Sequence, residues 1–234
     1  MFWHVRLNSQ YREQIKYDRR AFQLFIEEFG EATSRITVLA STIAKWRSTM
    51  PPALLGYWSE EGWSGFGQGI FWIANPDDFD ELLAEWLIGT PLEKIDRFHV
   101  IARTAFGKLY LWGEKTDPSV EIVASDHLIL CLERDLKKPV KNPDLVLRGF
   151  FSGSDPSYAD ALDRDGKPLF PRALKALGPL RPDEMYGFEP VLVTGGKARI
   201  ENIRIVNIHE HLGILRKLAG PRFPMSSLSI DKLL

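Results

Sequence analysis

"GFGQGIFWIANPDDF", residues 65–79, decides how the chain is read. Glycines at 65, 67 and 69 alternate with bulky residues, which is the look of a phosphate-binding loop. A dinucleotide loop needs a strand, then G-x-G-x-x-G, then a helix at once. Here the apolar run IFWIAN follows the glycines, and helix signals begin only at Pro76. A Walker loop would need a Lys followed by Ser or Thr, and the stretch has none. The pattern therefore predicts two short strands joined through a turn of positive-φ glycines. IFWIAN is apolar throughout, so its strand should be covered on both faces. Asn75 is a good N-cap, Pro76 suits the first helical position, and Asp77 and Asp78 favour the positive end of the helix dipole. Phe79, Leu82, Leu83, Trp86 and Leu87 follow at i, i+3, i+4, i+7 and i+8, and Gly89 and Pro91 close the helix.

Working outward, residues 11–29 predict a helix with Phe22, Phe25, Ile26 and Phe29 on one face and Gly30 as its stop. Residues 41–48 read as a short helix or turn. MPPALLGYWSEEG starts another helix at its prolines, with Leu54, Leu55 and Trp58 on one face and Gly62 as its end. From residue 98 to 132 the pattern turns to strands: a hairpin around Phe106-Gly107-Lys108, then VEIVAS and HLILCLE. RDLKKPVKNP reads as a linker. Helices are expected around 143–151, 156–163 and 171–177. Two strands are expected around Gly195-Gly196, and a last helix over 209–219. GPLRPDEMYGFEP reads as a turn that Met185, Tyr186 and Phe188 anchor in the core. Helices and strands in blocks, without a regular βαβ series, predict an α+β fold: mixed helices and a mainly antiparallel sheet in two abutting domains.

The bulk numbers suit a soluble globular protein. The chain has 234 residues, 44% hydrophobic and 26% charged, with seven Trp and fourteen Phe. The net charge of −1 supplies no global basic field for nucleic acid or an anionic membrane. No apolar run reaches the ~18 residues of a spanning helix. The start of the chain lacks the pattern of a secretory signal, and a cytoplasmic location is expected. Cys131, the single cysteine, excludes an intrachain disulfide and a thiolate zinc cluster.

Catalytic sets are hard to assemble. His209 and His211 flank Glu210, but two residues apart on a helix they point about 200° from each other and cannot share a metal. His127 and Asp126 have no assigned role. No G-x-S-x-G occurs, and Ser152 in GFFSGSDPS lacks the preceding glycine. Cys131 sits in an apolar strand pattern, as an inert core thiol would. We therefore expect no catalytic residue, no metal and no cofactor. Charge distribution carries more: residues 51–96 hold nine acids and one base, a block of −8 against +7 for the rest. An anionic surface speeds capture of a basic partner, and nucleases are basic where they meet DNA. Glu60, Glu61, Asp77, Asp78, Asp80, Glu81 and Glu85 are the candidate partner-binding residues.

Two stretches carry a resemblance. MPPALLGYWSEEGWSGFGQGIFWIANPDDF…LAEWL resembles the GAD-like domain of bacterial immunity proteins, over about residues 22–123. LFPRALKALGPLRPDEMYGFEPVLVTGG…IENIRIVNIHEHLGIL resembles the C-terminal domain that accompanies it, over about 127–218. The resemblance implies an N-terminal extension at 1–21, a GAD-like domain at 22–124 and an immunity-type C-terminal α+β domain at 125–234. It also implies a cytoplasmic protein without catalysis, which binds and silences a DNase toxin of the type VI secretion system. Its partner would be that nuclease, with neither nucleic acid nor membrane. Two alternatives stay open: a hydrolase, metal-dependent or using His209 or His211 with nearby acids, and a tRNA-related nucleic-acid module.

Overall fold

The computed structural model describes residues 20, 22–137 and 141–224. Most of the expected N-terminal extension, and the first part of the helix expected over 11–29, lie outside the described residues. Helix α1 (22–29) leads into strand β1 (Ser34–Ile36), α2 (Ala40–Trp46) and α3 (Pro52–Glu61). Then come β2 (Trp63–Phe66), β3 (Phe71–Ile73), α4 (Pro76–Leu87) and the short α5 (Leu92–Ile95). Strands β4 (Phe98–Thr104), β5 (Lys108–Gly113), β6 (Asp117–Val123) and β7 (Leu128–Cys131) complete a seven-stranded antiparallel sheet in sequential order. Helices α6 (Glu133–Leu136), α7 (Pro143–Ser152), α8 (Pro156–Ala159) and α9 (Phe170–Leu177) follow. A two-stranded sheet of β8 (Glu184–Phe188) and β9 (Ile203–Asn207) precedes α10 (Ile208–Leu218).

The period-2 alternation of the strands builds two cores, one on each face of the large sheet. Tyr110 and Trp112 of β5 join a core with Phe22, Phe25, Leu54, Trp58 and Phe71, while Leu109 and Leu111 join another with Phe79, Trp86, Val120 and Ile122. The first core is strongly aromatic: Phe25 of α1 lies 5.1 Å from both Phe66 and Phe71 and 5.4 Å from Phe151 of α7, all edge-on. Such edge contacts suit the ring quadrupoles.

The two halves of the chain abut over these shared cores. Leu147, Phe151, Phe170, Tyr186 and Phe188 belong to the first, and Met185, Ile208, Leu212 and Leu215 to the second. Polar ties repeat this. Asp144 of α7 accepts from the Ala53 amide at 2.8 Å, capping α3, whose own N-cap Pro51 has no side chain that can do so. The Tyr186 amide donates to Ala105 O at 2.8 Å, fastening the small sheet to the β4–β5 hairpin.

The glycine stretch is a turn between antiparallel strands. Gly67 and Gly69 have φ of 57° and 97°, with Gln68 between them at 59°. Gly65 lies in β2 opposite Trp72, and a Cβ there would come within 2.9 Å of the indole ring. Trp72 in turn pairs with Arg103 of β4.

Three expectations are corrected. The segment read as a turn around Met185 is the strand β8, although Met185, Tyr186 and Phe188 are buried as expected. Its partner is β9, five residues in register from Glu184↔Asn207 to Phe188↔Ile203. The strand expected before Gly195-Gly196 does not form. Pro190 has no N–H to offer a ladder, and the chain there makes short 3₁₀ turns at Leu192–Thr194 and Ile200–Asn202. Part of the expected linker is ordered as α6, with Leu136 in the second core.

Candidate protein-binding site

Helix α4 forms as its sequence dictates. The Asn75 side chain accepts from the Asp77 amide at 3.3 Å and donates to Asp78 at 2.8 Å. Phe79, Leu82, Leu83, Trp86 and Leu87 are buried, and Asp77, Asp78, Asp80, Glu81 and Glu85 are exposed. Helix α10 is capped by Asn207, whose side chain accepts from the His209 and Glu210 amides at 3.0 and 3.2 Å. The two helices run parallel along each other. Phe79 and His209 rings meet at 4.8 Å near their starts, Trp86 Nε1 donates to Leu212 O at 3.2 Å midway, and Arg216 donates to Ile88 O at 3.1 Å near their ends.

Between them runs a groove of ≈ 390 Å³. One wall carries Asp78, Glu81 and Glu85, spaced i, i+3 and i+7 and therefore one above another on α4. The other wall is α10, with His209, Glu210 and Lys217. Gly213 is buried between them and leaves the floor without a side chain. Ile214, 52% exposed, adds an apolar edge. Four acids against one lysine give the groove a negative field.

The seven sequence-predicted residues divide. Glu61 is held by Arg35 of β1, and Asp77 by Lys45 of α2. Glu60 lies exposed at the end of α3, and Asp80 is exposed on α4 away from the groove lining. Asp78, Glu81 and Glu85 come together along the groove, where no ion pair among the described residues engages Glu81 or Glu85. Two further acids of the negative block serve the fold. Asp96 Oδ2 accepts from the Lys115 and Thr116 amides and the Thr116 hydroxyl at 2.8–2.9 Å, and Glu93 accepts from the Gly89 amide at 2.9 Å. Glu210 and Lys217 were missed as groove residues, because only the distant packing of α10 on α4 brings them there.

The histidines do not converge. His209 sits at the groove, and burial holds its pKa below the usual 6.5, with Asp78 and Asp183 opposing and Arg103 adding to that shift. His211 is buried, 7% exposed, next to Gly187, and burial lowers its pKa as well. His127 Nε2 lies 2.7 Å from Leu215 O and anchors α10 to the turn before β7. No group of three or more His, Cys, Asp or Glu among the described residues could hold a metal ion. Burial pushes the Cys131 thiol up to about 11, which leaves it protonated at neutral pH. No helix among the described residues is long and apolar enough to cross a membrane.

Comparison with known proteins agrees with the resemblance read from the sequence. Residues 20–126 match the GAD-like domain family. Residues 145–219 match the family of the T6SS immunity protein Tdi1, C-terminal. The crystal structure of Atu4351 from Agrobacterium tumefaciens is similar over 86% of this chain and 91% of that one, with a TM-score of 0.77 and 25% sequence identity. No curated protein matches the chain.

Proposed function

We propose that this chain, which joins a GAD-like domain to a Tdi1-type immunity C-terminal domain, binds and neutralises a DNase toxin of the type VI secretion system in the cytoplasm of the cell that makes it. It acts by stoichiometric association and catalyses nothing. The observation that carries this reading is the stripe Asp78, Glu81 and Glu85 along the α4–α10 groove, facing Glu210. A nuclease surface shaped to grip phosphates is basic, and an acidic groove of this kind draws it in and orients it. Because the enzyme restrained is lethal, affinity is nanomolar or tighter, about −12 kcal/mol. The other acids contribute less, since Glu61 and Asp77 already have cationic partners.

The reading predicts a nuclease encoded beside this chain, and that protein is the one to test. The two proteins should co-purify as a stable complex, and the complex should lack DNase activity. Stopped-flow association should slow by tenfold or more at low salt when Asp78, Glu81 and Glu85 are changed to Lys, and its salt dependence should flatten. Failure to co-purify ends the proposal. Rates that ignore both salt and the triple change end the role assigned to the groove. The hydrolase alternative predicts multiple turnover by the purified chain that His209→Ala abolishes, whereas the binding reading predicts no turnover by the unaltered chain.

A further inference from the structure

Next to the groove, and sharing Asp78 and His209 with it, lies a second cavity of ≈ 110 Å³. Its lining includes Arg103, Trp72 and Trp63. Arg103 is the one Arg or Lys in strand β4, and only 2% of it is exposed. Its guanidinium lies 4.6 Å from the Trp72 ring centroid, and its Nη2 donates to Pro182 O at 2.6 Å. Among the described residues its Nη1 has no hydrogen-bond partner, and neither has the indole nitrogen of Trp63, though both atoms are buried. Buried donors without acceptors are rare because each costs about 1–3 kcal/mol. A buried guanidinium is normally matched by a carboxylate, yet no ion pair among the described residues engages Arg103. Burial brings it down to about 9, only partly opposed by the charge of Asp183 across the same cavity.

Two unmet donors, one of them cationic, call for an anionic acceptor, and the planar fork of Arg suits a carboxylate. The rim has the opposite chemistry. Asp78 and Asp183 are exposed carboxylates among the lining residues, so a plain anion meets repulsion on entry, whereas a positive charge beside the carboxylate meets attraction. We propose that this cavity is a binding site for a carboxylate carrying an adjacent cationic group, the carboxylate on Arg103 and Trp63 and the cation toward Asp78 and Asp183. A free α-amino acid has this chemistry, and so does an acidic side chain next to a basic one on a partner protein. The glycine stretch serves the site, because Gly65 leaves room for the Trp72 indole that backs Arg103.

Calorimetry and tryptophan emission of the full chain test the proposal, with glycine, L-alanine, acetate, methylammonium and N-acetyl-Glu-Lys-amide as probes. A zwitterionic probe should give a saturable response and bind more tightly than acetate. Arg103→Lys, which keeps the charge and removes the fork, should weaken binding tenfold or more. Trp63→Phe, which keeps an aromatic ring and removes one donor, should weaken it about 2- to 10-fold. Should Arg103→Lys fail to fold, Trp63→Phe alone decides. Saturation by free amino acids identifies a small-molecule ligand, and saturation by the blocked dipeptide alone identifies a partner side chain; either supports the site. No saturable response up to about 50 mM, well beyond a weak millimolar site, overturns it. So does a response to methylammonium alone, or one unchanged in Trp63→Phe. None of these readings uses the toxin, so they stand apart from the test of the immunity function.

Discussion

The inner face of α4 presents Phe79, Leu82, Leu83, Trp86 and Leu87 to the second core, and its outer face presents Asp78, Glu81 and Glu85 to the groove. Both faces come from one 12-residue segment with a 3.6-residue period. They nevertheless answer to different demands. The inner residues hold α10 in place, through the ring contact of Phe79 with His209 and the hydrogen bond of Trp86 to Leu212. Of the outer acids Asp78 accepts from the Asn75 side chain, while no hydrogen bond or ion pair among the described residues engages Glu81 or Glu85, so changing the stripe should leave the fold in place. Stability and the proposed capture of a partner are thus separable on a single helix, and mutations should pull them apart.

The largest stability change is expected for Trp86→Ala, because Trp86 is fully buried. A loss of about 3–5 kcal/mol in denaturant unfolding follows from the cavity and lost transfer energy, and α10 should loosen with it. The triple change of Asp78, Glu81 and Glu85 to Lys should do the reverse: a shift in unfolding within about 1 kcal/mol, with the loss appearing in association. If it unfolds the protein instead, the two faces are not independent. Asn75→Ala removes the cap shared by both faces and should cost about 1 kcal/mol by thermal or denaturant unfolding. Lys45→Ala, which frees Asp77, should cost about 0–1 kcal/mol, as exposed ion pairs do. Freeing that carboxylate on the same helix should also raise the association rate slightly, and a lower rate would contradict the assigned role of negative charge.

The smallest effect expected is a pH dependence. His209 and His211 titrate below 6.5 in the folded protein because burial disfavours their charged forms. As pH falls through 6.5 the unfolded chain therefore takes up protons first, so their contribution is complete above 6.5 and is lost as pH drops below it. Asp117 acts in the opposite sense. Burial, together with Asp135, raises it from 3.8 to about 6, so its contribution is lost as pH rises across that interval. Replacing both histidines with Gln should flatten the decline just below pH 6.5 in denaturant midpoints, and replacing Asp117 with Asn should steepen it.

Much of the fold could be read from local pattern. The α4 cap, its five-residue stripe and its acidic first turn lie within a dozen residues, so spacing alone placed the helix. The β4–β5 hairpin was legible for the same reason: Lys108 resumes the strand pattern just past the turn glycine. Strand β8 was not, because EMYGF is short and its pairing with β9 spans residues 189–202. The groove was legible only on its α4 side. That Glu61 and Asp77 would find Arg35 and Lys45, while Glu81 and Glu85 would not find a cation among the described residues, depends on which elements become neighbours. The solitary Arg103 in FHVIART was a visible signal, and its meaning came only with Trp63, Trp72 and Pro182 around it.

By itself the sequence determined the class of elements, the strand–turn–strand reading of the glycines, the apolar and acidic faces of α4 and the family resemblance. Those properties follow from side-chain periodicity and backbone chemistry over a few turns of chain. The tertiary structure alone decided that α10 lies parallel to α4, that three of the seven chosen acids line one groove, and that a buried guanidinium keeps an unmet donor behind it. Each of these depends on contacts between residues roughly 80 to 130 positions apart. Such contacts are selected by the burial of two shared cores, a sum over the whole chain that no local window contains.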